Sequence, residues 1–149
     1  MDIAFTEADR ADIDMLLDLM AEYYAFDHIP YDRQEARAAL EGLMSDRSLG
    51  RVWLIRAGGE AAGYCVLTLW YSLEFRGRAA FVDELFVKER FRGKGIGTKA
   101  LAFLAETARL LGVKALRLEV EKKNVDAIKL YGTSGFESED RDLMTKRMA

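Results

Sequence analysis

A chain of 149 residues, 50% hydrophobic and 32% charged with a net charge of −3, has the makeup of one globular domain, residues 1–149, able to bury about two thirds of its surface. That balance excludes a disordered chain and a general nucleic-acid binder, whose face is strongly basic, and no apolar run approaches the length of a membrane helix. One cysteine, Cys65, and one histidine, His28, leave no internal disulfide and no His/Cys cluster for a metal. The opening MDIAFTEADR lacks the basic-then-apolar order of a secretory signal, so the expected address is the cytosol.

Residues 9–25 place Ile13, Leu16, Leu17 and Met20 at helical spacing behind acidic residues that suit a helix start. After the break at His28-Ile29-Pro30 a second amphipathic helix is expected over 33–44, the pair forming a flexible flap. Strands follow at 51–57, 62–72 and 79–87, the first two joined by a Gly58-Gly59 turn, giving an antiparallel meander with Cys65 in the core. A helix over 98–111 stopped by Gly112, a strand over 115–120, a short helix over 126–134 closed by Gly135, and two brief strands near Phe136 and over 143–148 complete the chain. The expected fold is α/β or α+β around a mixed sheet, with room for a parallel crossover before the 115–120 strand.

Between the third strand and its helix lies ERFRGKGIGTKAL, with Gly93, Gly95 and Gly97 at alternate positions. Glycines so close together weaken regular structure and leave N–H groups uncovered, which makes sense if those groups and a helix N-terminus face a phosphate, with Arg90, Arg92 and Lys94 around it. A plain capped turn beside a solvated charge run is the competing reading. A Walker A loop is absent, since no Gly-Lys-Ser/Thr occurs at the required spacing. The letters of a dinucleotide fingerprint occur at Gly95 to Ala100, with Glu119 about twenty residues on, but the glycines do not turn directly off a first parallel strand, so a NAD site is rejected.

Arg92-Gly93-Lys94-Gly95-Ile96-Gly97 matches the Arg/Gln-x-x-Gly-x-Gly/Ala signature of the GNAT superfamily of acyl-CoA N-acyltransferases, and FVDELFV is similar to that family's fourth strand. Asn124, Ala127 and Tyr131, in NVDAIKLYGTSGF, resemble its second motif. The resemblance implies a GNAT fold with a mixed, mostly antiparallel sheet and splayed parallel strands four and five flanked by helices. It implies acetyl-CoA or another acyl-CoA as co-substrate, its pyrophosphate held by Arg92, Gly93, Lys94, Gly95, Ile96, Gly97 and Thr98. Backbone groups of Phe86 and Val87 would meet the pantetheine arm, with Asn124, Ala127 and Tyr131 on its other side. For Asn124 a helix N-cap is the competing role.

An alkyl ammonium of pKa about 10.4 gives up its proton at neutral pH at a cost of about 4–5 kcal/mol, so a proton acceptor is needed. Asp83 and Glu84 are the candidates, on opposite faces by strand alternation unless a bulge redirects one; Glu84 is preferred. Tyr131 is the proton donor to the leaving thiolate that the resemblance implies, against a core aromatic packed beside Phe136. The acidic pair is similar to that of polyamine and thialysine acetyltransferases, with Glu74 as a third anion, which points to a small cationic amine as acceptor; charges that merely protect an edge strand are the alternative. Tyr23, Tyr24, His28 and Tyr31 fall where such proteins build an acceptor wall, and packing is the competing role for them. A protein or peptide amine and a non-catalytic CoA-binding module remain as other functions. Many relatives pair by sheet edges or exchange C-terminal strands, so a homodimer is one assembly the resemblance allows.

Overall fold

The computed structural model describes residues 1–148, in two compact units: Met1–Glu119, and a second starting at Val120. In the first unit the strands are β1 (Ile3–Glu7), β2 (Gly50–Ala57), β3 (Glu60–Ser72), β4 (Gly77–Val87) and β5 (Ala115–Arg117), and the helices are α1 (Ile13–Phe26), α2 (Arg33–Ser45) and α3 (Ile96–Leu110). The sheet order is β1-β2-β3-β4-β5, with every pair antiparallel except the last. This is the mixed, mostly antiparallel sheet expected.

β1 was not anticipated. Its pairing with β2, from Ile3 opposite Ala57 to Glu7 opposite Trp53, supplies hydrogen bonds that five residues cannot provide alone, and the Phe5 ring stacks on Phe103 at 4.4 Å. The alternation of apolar Ile3 and Phe5 was its faint sequence signal.

α1 starts after a 3-10 turn at Arg10–Asp12, where the Asp9 carboxylate accepts from Ala11 N–H at 2.9 Å and Asp12 in turn accepts from Asp9 N–H. The helix buries Ile13, Leu16, Leu17, Leu19 and Met20, each contributing about 1.5–3 kcal/mol. With Leu40 of α2 all five cover Val52, Leu54, Tyr64, Val66 and Phe86 on one sheet face. Trp53 lies between Val52 and Leu54 and so faces the other way, where it meets Phe103 of α3 at 5.2 Å. The sheet therefore lies between α1/α2 and α3. Cys65 is fully buried and its thiol is pushed up to about 12 by that burial, which makes it a core residue as expected.

α2 is fastened to α1 by Arg33 to Asp18 at 2.8 Å, Arg37 to Asp14 at 2.5 Å, and the Tyr31 hydroxyl donating to the Leu17 carbonyl at 2.8 Å. The α1–α2 segment expected as a loose flap is thus tied at several points.

α3 begins at Ile96, two residues before the expected start, because buried Ile96 anchors the first turn as soon as Gly95 has redirected the chain. β5 ends at Arg117 rather than at 120.

In the second unit α4 spans Val125–Thr133. The two brief strands expected near Phe136 and over 143–148 do not form: residues 136–148 carry no strand. The stretch Glu137-Ser138-Glu139-Asp140-Arg141-Asp142 is charged at nearly every position, which gives a strand no apolar face to bury.

Candidate active site

The site begins where β4 loses a neighbour. β4 and β5 are paired only at Ala79–Ala115, Ala80–Leu116 and Phe81–Arg117. Residues 82–87 of β4 therefore keep β3 on one side and have no β5 partner on the other. Unpaired main-chain groups on that side are available to an extended, amide-bearing ligand.

At the same place the β3–β4 register slips. Val66 lies opposite Glu84 while Leu67 lies opposite Val82, so Asp83 is an extra, unpaired residue. Strict alternation, which sent Asp83 and Glu84 to opposite faces, is thereby broken. The Asp83 charge acts on both Glu84 and Tyr24. Although its side chain reaches solvent, protein packed around Asp83 lifts its carboxyl above the usual range by partial desolvation, and contact with water limits that lift. Glu74 sits in the exposed turn before β4. The seven residue steps from Gly77 to Glu84, at about 3.3 Å each, separate the start of β4 from the acidic pair by about 23 Å, so Glu74 does not join it.

Glu84 has two partners that the sequence reading did not assign. The Tyr24 hydroxyl of α1 donates to Glu84 Oε2 at 2.5 Å, and the Tyr64 hydroxyl of β3 donates to Oε1 at 2.6 Å. Burial pushes the Glu84 carboxyl up, the two phenols oppose that by binding the charged form, and Asp83 adds to the rise. Both tyrosines are pushed well above their ordinary value, chiefly by burial and then by the adjacent carboxylate. Neither ionises alone near neutral pH.

The remaining aromatic residues organise this group. Tyr23 packs edge-on against Tyr24 at 5.6 Å and lies 5.6 Å from the Phe86 ring, and Tyr31 meets Tyr24 at 5.5 Å. His28 takes a positive φ of 56° on an exposed turn. The overlooked signal for Tyr24 is that it extends the buried stripe of Leu17 and Met20 by a further four residues; a phenol on that face needs a polar partner.

β4 leads through a 3-10 turn, Glu89–Phe91, into the glycine loop. Gly93 and Gly95 have φ of 74° and 80°, the left-handed region that favours glycine. Gly95 precedes α3 with no side-chain cap, and the N–H groups of Gly93, Lys94 and Gly95 donate to no main-chain carbonyl among the described residues. Gly97 and Thr98 belong to the first helical turn, whose N–H groups have no intrahelical acceptor. A Cβ built at Gly93 or Gly95 meets nothing within 4 Å, so the space beside the loop is open. Uncovered amides at a helix N-terminus fit a diphosphate.

The basic residues divide. Arg90 pairs with Glu60 and lies 4.3 Å over the Phe91 ring. Arg92 turns its Nε to the Val87 carbonyl at 2.8 Å, with its guanidinium 4.4 Å over Phe26. That bond occupies one lone pair of a carbonyl expected to meet the pantetheine arm and leaves the other. Lys94 is exposed and in no ion pair among the described residues. Phe86 buries its side chain in the α1/α2 face and offers only its backbone.

In the second unit Asn124 Oδ1 accepts from Ala127 N–H at 3.2 Å, so the N-cap role is realised. Tyr131 is half-buried, and its ring meets Phe136 edge-on at 6.2 Å while its carbonyl accepts from Phe136 N–H at 3.0 Å.

The chain is similar to several known proteins. The thialysine N-epsilon-acetyltransferase of Sus scrofa is 35% identical over 86 residues, covering 55% of this chain and 51% of that protein. The spermine/spermidine N(1)-acetyltransferase of Bacillus subtilis (strain 168) is 32% identical over 82 residues, covering 53% and 54%. The chain thus matches about half the length of these curated relatives. A crystal structure of integron cassette protein HFX_CASS3, from the mobile metagenome of Cole Harbour Salt Marsh, superposes with a TM-score of 0.88 at 36% identity over 97% of this chain and 90% of that one. The sequence profile described as the Acetyltransferase (GNAT) family matches residues 13–136, a span that takes in the parted strand, the acidic bulge, the glycine turn and α4, and the chain belongs to that family.

Proposed function

We propose that this protein transfers the acetyl group of acetyl-CoA to a primary amine of a small cationic molecule, by direct attack within a ternary complex. The observation that carries the reading is the run of uncovered amides from Gly93 to the first turn of α3, immediately after a strand that has lost its β5 partner. Those amides hold the diphosphate, with exposed Lys94 adding charge, and the open side of β4 from Val82 to Val87 takes the pantetheine amides. Asp83 and Glu84 attract the cation, and Glu84 accepts its proton. Asn124, Ala127 and Tyr131 keep the roles implied by their motif, with Tyr131 donating a proton to the departing sulfur. Support for a cationic acceptor comes from the acidic bulge and from relatives named for thialysine and for spermine and spermidine.

A free-thiol assay with acetyl-CoA against polyamines, lysine analogues, amino acids, aminoglycosides and peptides tests this. The expected result is thiol release with a small di- or polyamine, lowered about a hundredfold in kcat/KM by Glu84→Gln at unchanged CoA affinity. CoA binding with no release across the panel would leave only a binding module.

A further inference from the structure

Resting on the acetyl-transfer reading above, we propose that Tyr24 is the group through which the acceptor's proton reaches Glu84, and that Tyr64 is the positioning residue that holds the carboxylate for it. The two phenols occupy one oxygen of Glu84 each, at 2.5 and 2.6 Å, from elements 60 and 20 residues away in the chain. They are not equivalent. Tyr64 is 1% exposed, enclosed with Phe86 and Tyr23, and has no access to an incoming molecule. Tyr24 is half-buried at the end of α1 and borders solvent.

The Tyr24 hydroxyl has one proton, and that proton is committed to Glu84. Its oxygen lone pairs therefore point away from the carboxylate and are free to accept. A phenol that donates to a carboxylate carries extra negative charge on its oxygen, which makes it a better acceptor for an ammonium N–H. Tyr31, which packs on the Tyr24 ring, commits its own hydroxyl to the Leu17 carbonyl and so does not compete for Glu84. The groups that face the pair are Tyr23 and Tyr31 against Tyr24, Tyr64 from β3, and Asp83 from β4.

The step balances. An ammonium proton moves to Tyr24 Oη as the Tyr24 proton moves to Glu84 Oε2, so no tyrosinate is formed. The freed nitrogen lone pair attacks the thioester carbon and forms the C–N bond, and the C–S bond breaks. Tyr131, in the donor role proposed above, protonates the sulfur to the thiol and is restored by the second nitrogen proton, and Glu84 later returns its proton to water by the reverse path. A tyrosinate alone is inaccessible, because burial and the carboxylate hold both phenols protonated, so the coupled shift is the low-energy route.

The test compares wild type with Tyr24→Phe, Tyr64→Phe and, as a control on exposed Tyr71 of β3, Tyr71→Phe. Thiol release is followed with acetyl-CoA and spermidine, or the fastest amine of the panel, across pH, and CoA affinity is measured by calorimetry. Tyr24→Phe is expected to lower the plateau kcat about a hundredfold with CoA affinity unchanged. Tyr64→Phe should keep the plateau within about threefold while moving the acid limb to higher pH, because Glu84 loses a partner for its charged form. A tie that only fastens α1 to β4 would raise KM and leave the plateau alone, so a Tyr24→Phe plateau within about threefold of wild type overturns the proposal. Should the Phe variant fail to fold, 3-fluorotyrosine at position 24 keeps the ring and the bond with a weaker base; a lower plateau kcat supports the relay and an unchanged one overturns it. Silence of the wild type with every amine, despite CoA binding, would instead overturn the acetyl-transfer reading and the relay with it.

Discussion

Tyr131 is half-buried, with its ring edge-on to Phe136, a contact made through the ring carbons. Core packing and proton donation are therefore compatible at this residue. Tyr131→Phe is expected to leave CoA affinity and stability near wild type and to lower kcat by about tenfold or more, checked by steady-state rates beside calorimetry; unchanged turnover would remove the donor role. The residue scale is also where the sequence was least informative. Asp83 and Glu84 were legible as an acidic pair on a strand, but a period of two could not show that a slipped register inserts Asp83 as an extra residue. Nor could it show that Tyr24 and Tyr64, 40 positions apart, close on the two oxygens of one carboxylate. Both facts depend on long-range pairing, which local pattern does not contain.

At the scale of elements, periodicity located α1, α2, β2, β3 and β4 within a few residues, because each buries a regular face strong enough to mark its own extent. β1 escaped notice because its stability comes from the β2 ladder and the Phe5–Phe103 stack. The glycine loop was legible because the role proposed for it depends on backbone shape, which the glycines themselves advertise. Another glycine sets how closely β3 approaches β4: a Cβ at Gly63 would lie 2.0 Å from the Phe86 carbonyl oxygen. Gly63→Ala must push β3 off β4 beside the site, with an expected loss of about 2–3 kcal/mol in urea unfolding and a fall in activity. A variant as stable as wild type would mean that the sheet absorbs the methyl group without cost.

For the whole molecule, the partly buried carboxyl of Glu84 makes stability depend on pH in a particular sense. Burial raises its folded pKa above the unfolded value of about 4.3. The folded state therefore binds that proton more tightly, and this contribution is fully present below the unfolded pKa and is lost as pH rises through the folded one. Carboxylates such as Glu7, whose pKa is lowered chiefly by its hydrogen bond to Arg47, act in the opposite direction but are common to any pair of variants. Wild type measured against Glu84→Gln isolates the effect. The stability of wild type relative to the variant should fall as pH rises above the unfolded carboxylate value in urea titrations, and a gap that is constant or grows would show that the two phenols outweigh the desolvation.

The central claim is that main-chain amides between β4 and α3 grip a diphosphate, and calorimetric titration with CoA of wild type and Gly95→Ala tests it most directly. At φ 80° an alanine is strained by its backbone and not by contact, at a cost of about 1–2 kcal/mol, so the variant should stay folded by circular dichroism while the loop relaxes. The account predicts saturable one-site binding by wild type, weakened about tenfold or more in Gly95→Ala. No binding by wild type, or equal affinity in a folded variant, would contradict it.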